Sequence, residues 1–162
     1  AGDIEGARTD AERSLELGAS AGDDGALAVA YTLAAMVAAS DGDRVSNDWH
    51  YVRALQHAER APDLLQIARI RSNRGSRLME EGEYEAALDE LDEAVRYAEA
   101  GGFDGALALA LTNRGEVATK LGRLDDARTD LAIASRSSSS PGCSPCVAIS
   151  NRRGARVNAH WH

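Results

Sequence analysis

Laid against itself with a shift of 40 residues, the chain falls into register. Gly2, Gly42, Gly82 and Gly122 share a column, and Ala54, Ala94 and Ala134 share another. Tyr51, Leu91 and Leu131 align, as do Ala35, Gly75 and Gly115. Short phrases return with the same beat. "DGAL", Asp24 to Leu27, recurs two periods on at Asp104 to Leu107, and "NRG", Asn73 to Gly75, recurs at Asn113 to Gly115. A fixed period of this length calls for stacked copies of one supersecondary unit, each resting on its neighbours.

The spacing inside the unit is helical. Tyr84, Ala87, Leu88, Leu91, Ala94, Val95 and Ala98 stand three and four apart, which puts them on one stripe of a helix. Leu107, Leu111, Gly115 and Ala118 form the stripe of the other helix of the unit. Between stripes lie "EEGEY" (Glu80 to Tyr84) and "KLGRL" (Lys120 to Leu124), whose glycine can adopt the left-handed conformation that ends a helix. Each unit is therefore expected to be helix, tight turn, helix, and the fold all-α. Composition agrees: aromatic residues make up only 4% and Pro62 is the sole proline before Pro141. Alanine and leucine carry the apolar load, which favours closely packed helices over sheets. The column Ala35, Gly75, Gly115 predicts a place where paired helices approach closely.

The order of residues in the unit resembles the tetratricopeptide pattern. It reads Gly75, Leu78, Gly82, Tyr84, Ala87, Leu91, Ala94 in one copy and Gly115, Ala118, Gly122, Leu124, Ala127, Leu131, Ala134 in the next. An earlier copy keeps Ala35, Gly42, Tyr51 and Ala54. The family's usual period is about 34 residues. The longer form resembles the sensor arrays of LuxR-type and maltose-activator-type bacterial regulators. HEAT and armadillo repeats share the period and rank second, lacking the glycine-turn pattern. The resemblance implies a right-handed α–α superhelix of about three and a half units over residues 1–136. A Ser/Pro/Cys linker is expected over 137–146. For 147–162 there are two readings: the partial first helix of a further unit, capped by Ser144, or a non-native tail. Because the chain opens partway through a unit, it is expected to be a fragment of a longer protein, with array ends that self-associate.

No reaction is legible. Cys143 and Cys146 form half a zinc site, but His160 and His162 are too close together to complete it. Gly18-Ala-Ser20-Ala-Gly22 matches the nucleophile-elbow string without the strand that motif needs, and reads as a loop between units. The eight acids between Glu80 and Glu93 lack calcium-loop spacing and read as a solvated face. His50 and His57 read as ordinary surface or packing residues. A formal charge of −8 disfavours direct nucleic-acid binding, and there is no apolar run of about 18 residues to span a membrane. The expected protein is cytoplasmic, non-catalytic and without cofactor or metal.

In tetratricopeptide proteins the first helix of each unit lines a concave groove. By that resemblance Asn73 and Asn113 match the position that holds a bound peptide's backbone. A carboxamide both donates and accepts, so it suits any extended peptide. Their groove neighbours are expected to be Arg69, Ser76, Met79, Thr112 and Glu116. The implied function is docking of a protein, peptide or small effector. The host is expected to be a LuxR-type transcription regulator, or alternatively a free-standing scaffold.

Overall fold

The computed structural model describes residues 4–137. The segment 138–146, the Cys143/Cys146 pair and the helix expected over 147–162 lie outside the described residues. Among the described residues, seven helices follow one another: α1 (Ile4–Ala21), α2 (Asp24–Asp41), α3 (Arg44–Arg60), α4 (Leu64–Glu81), α5 (Tyr84–Gly101), α6 (Asp104–Lys120) and α7 (Leu124–Ser137). The closest packing joins α2 to α3, α4 to α5 and α6 to α7, so the 40-residue unit is a helical hairpin. Helix α6 packs on α4, and α2 touches α4 more lightly. No close approach joins α3 to α5 or α5 to α7. The first helices of the units thus neighbour one another while the second helices stand apart.

Three apolar clusters run through the stack. Ala28, Tyr51, Leu55 and Ile70 close the first hairpin against α4. Leu91 and Val117 sit between α4, α5 and α6, and Leu111 and Ala134 hold α6 to α7. The small-residue column works at the centre of each hairpin. A Cβ built on Gly75 would stand 2.6 Å from Leu91 Cγ and 3.2 Å from the Ala87 carbonyl. One on Gly115 would stand 3.2 Å from Leu131 Cγ. The expected close approach therefore exists, and glycine is what allows it. Gly18 is different from its sequence reading. It lies inside α1, buried against Leu27 of α2, so the string Gly18 to Ala21 is the last helical turn and not a loop.

Five of the six turns end their helix in the same way. Gly22, Gly42, Gly82, Gly102 and Gly122 all have φ between 63° and 84°, the left-handed region that a Cβ disfavours. The residue after each donates back to a carbonyl five positions earlier, as Asp43 does to Ala38 and Glu83 to Leu78. Pro62 occupies the equivalent slot between α3 and α4. Its ring favours about −65° and it has no N–H. It therefore forgoes the bond that Gly42 makes to Ala39 and Gly82 to Met79. The α3–α4 junction is also packed less extensively than the matching α1–α2 and α5–α6 junctions. Pro62→Gly is expected to stabilise the chain. Glycine supplies the N–H for the missing bond, worth about 0.5–1.5 kcal/mol, and enters the left-handed region freely, against about 0.4–1 kcal/mol of added unfolded-state entropy. Thermal unfolding should show a higher midpoint, and a lower one would remove this account of the junction.

Candidate functional site

The row formed by α2, α4 and α6 carries the residues named from the sequence. Along α2 it presents Val29 and Met36, 52% and 39% exposed. At the matching positions α4 presents Arg69 and Ser76, and α6 presents Leu109 and Glu116. The patch changes from apolar at one end to mixed polar in the middle and at the other end. Arg69 is exposed and forms no ion pair among the described residues.

The two asparagines differ. Asn113 donates its amide to Ser76 Oγ at 2.8 Å, joining α6 to α4. Ser76 in turn donates to the Ser72 carbonyl at 3.0 Å. The residue matching Ser76 one unit earlier is Met36, which has no hydroxyl, and Asn73 makes no side-chain hydrogen bond among the described residues. Both asparagines are half-buried. Thr112 spends its hydroxyl on the Ala108 carbonyl at 2.8 Å, so its methyl group is what it has left to present. Met79 is partly buried against the cluster of Ala87, Leu91 and Val117, giving it a packing role beside any groove role. Glu116 is exposed.

A second set of polar residues escaped the sequence reading. Arg114 grips Asp130 of its own hairpin with two nitrogens, at 2.8 and 2.7 Å, and Asp92 of the preceding hairpin at 2.8 Å. Its hydrogen bond to Asp130 raises the guanidinium's already high pKa, against the opposing effect of burial. One unit earlier, Arg74 and Arg71 both pair with Glu90, at 2.7 and 3.0 Å. Arg77 adds Asp48 at 3.0 Å and Glu81 at 2.9 Å. The run from Glu80 to Glu93 is therefore not simply a solvated face. The Glu81 and Glu90 side chains are only 15% and 13% exposed, because arginines of α4 come to meet them. The available signal was the arginine column 74 and 114 with an acid sixteen residues after each.

The histidines also have specific surroundings. His57 Nδ1 lies 2.6 Å from Asp24 Oδ1, and its ring stacks on Tyr31 at 5.4 Å. His50 packs edge-on to Trp49, and burial lowers its pKa despite the opposing charge of Asp43. Tyr51, buried in the first hairpin, has its hydroxyl pushed up to about 12 by desolvation. Among the described residues, no cluster of three or more His, Cys, Asp or Glu is placed to hold a metal. Nor is any helix among them long and apolar enough to cross a membrane. Comparison with protein-family models, with curated proteins and with solved structures gives no match.

Proposed function

We propose that the chain is a tetratricopeptide-like right-handed superhelix acting as a non-catalytic docking module. In this reading the ligand is an extended peptide lying along α2, α4 and α6. The observation that carries it is the pairing of Asn73 and Asn113 one period apart on neighbouring helices, half-buried and with hydrogen-bonding capacity left over. Asn73 offers both its carbonyl and its amide. Asn113 offers its carbonyl, since its amide is held by Ser76. Val29 and Met36 supply an apolar seat at one end, and Arg69 an unpaired cation beside Asn73. The resemblance to LuxR-type sensor arrays favours a role in receiving signals for such a regulator over that of a free-standing scaffold.

A random library of unstructured peptides displayed on phage, selected against the immobilised chain, supplies the ligand for the test. Calorimetric titration of an enriched peptide should then show weaker binding to Asn73→Ala/Asn113→Ala. Each lost bond is worth about 0.5–1.5 kcal/mol, with Asn73 the larger contributor because it is the less committed. Glu85→Ala, exposed on α5, is the matched control and should bind as the parent does. Full affinity in the double asparagine variant, or loss only in the control, would place the site elsewhere.

A further inference from the structure

The outer face of α3 differs from that of the other second helices. It exposes Val45, Trp49 and Val52 by 81%, 50% and 44%, and Gln56 stands exposed one turn further on. Spacings of four, three and four residues put these side chains on one stripe, the pattern by which one helix lies along another. In the same columns α5 carries Glu85, Asp89, Asp92 and Arg96, and α7 carries Asp125, Thr129, Ala132 and Arg136. The apolar stripe is therefore no part of the repeat. Nor does the chain cover it, since among the described residues α3 packs only on α2 and α4.

The stripe has one acidic and one basic edge. Asp48 and Arg53 are five positions apart, about 140° around a helix, so they flank it on opposite sides. Arg53 lies over the Trp49 ring, 5.2 Å from its centroid, and forms no ion pair among the described residues. Asp48 accepts from Arg77 through Oδ1, and its side chain is still 60% exposed. Two such helices lying side by side in parallel bring the basic edge of each to the acidic edge of the other. The five-residue step from Asp48 to Arg53 is the spacing of the ion pairs that bridge parallel paired helices. An antiparallel pair about a two-fold axis would instead set basic edge against basic edge and acidic against acidic.

We infer that the outer face of α3 is a self-association surface, on which a second copy of the chain docks through its own α3, in parallel across a two-fold axis. Val45, Trp49 and Val52 form the apolar centre, and Asp48 of each copy meets Arg53 of the other. A second copy is favoured over an unrelated partner because this one surface carries both halves of the charge pattern, as a two-fold interface requires. The helix is already folded and Trp49 is already braced edge-on against Tyr31 at 5.8 Å, so pairing orders little that was free. The inference is independent of peptide docking on α2, α4 and α6.

The test is sedimentation equilibrium of the chain over a range of concentrations, which should show monomer passing to dimer. Trp49→Ser should raise the dimer dissociation constant at least about thirtyfold, the loss expected at the centre of an interface. Trp49 also touches Tyr31, so Val45→Asp is the cleaner variant. Val45 is 81% exposed, and its replacement should abolish the dimer while the thermal midpoint of the monomer stays unchanged. Arg53→Asp and Asp48→Arg should each weaken the dimer about tenfold, because two ion pairs become two repulsions. An equal mixture of these two variants should recover the parent's affinity as a heterodimer, since every pair across the axis is again of opposite charge. A strict monomer at all concentrations, or a dimer that persists in both Trp49→Ser and Val45→Asp, would overturn the proposal. Single charge reversals without effect would overturn the parallel arrangement, and so would a mixture that fails to recover.

Discussion

Gly75→Leu is expected to destabilise the chain by about 3 kcal/mol or more, at the upper end of overpacking effects. Even the first carbon of a new side chain would fall 2.6 Å from Leu91 Cγ. Leu91 has no exposed surface and lies between α4, α5 and α6, so it has nowhere to retreat. Gly115→Leu is expected to cost less, about 1–2 kcal/mol. There the first contact is 3.2 Å, and the opposing Leu131 is 45% exposed and free to move outward. Alanine gives the sharper contrast. It favours helix over glycine by about 1 kcal/mol. Gly115→Ala should therefore be neutral or slightly stabilising, whereas Gly75→Ala should lose about 1–2 kcal/mol because the clash outweighs the propensity. Urea unfolding of the four variants checks the order. Equal effects at the two sites would show that the hairpins are not packed as described.

Arg114→Ala should cost about 2–4 kcal/mol, somewhat less than breaking a fully buried pair because the arginine is partly open to solvent. The larger part of that cost comes from what remains. Asp130 is 5% exposed and would lose both its guanidinium bonds. A double variant, Arg114→Ala/Asp130→Ala, should therefore be more stable than the sum of the single changes implies, and the cycle measures the coupling. The pair Arg128 and Asp125 is the comparison. Its side chains are 80% and 98% exposed, and Arg128→Ala should leave the unfolding midpoint unchanged. A loss for Arg128→Ala as large as for Arg114→Ala would mean that burial of Asp130 is not the cause.

The hairpin unit was legible because its signals are local and repeated. A stripe such as Ala87, Leu91, Ala94 and Ala98 specifies a helix and its buried face within one stretch of chain. Gly82 and Gly122 mark turns because a left-handed cap penalises every side chain that has a Cβ. Even the close approach at Gly75 could be read from a column that holds only small residues. The sequence alone also placed Asn73 and Asn113 on equivalent first helices. The partners of these side chains were not legible. Nothing in the neighbourhood of Asn113 indicates that its amide is taken by Ser76, 37 residues away, while Asn73 is left free. Glu90 read as surface because its own segment is acidic throughout, and only the packing of α4 on α5 brings Arg71 and Arg74 to it. Helix formation and capping act over a few residues and recur with the period. Charge pairing and cavity formation act over a few ångströms in space, between residues that only the packing of one helix on the next brings together.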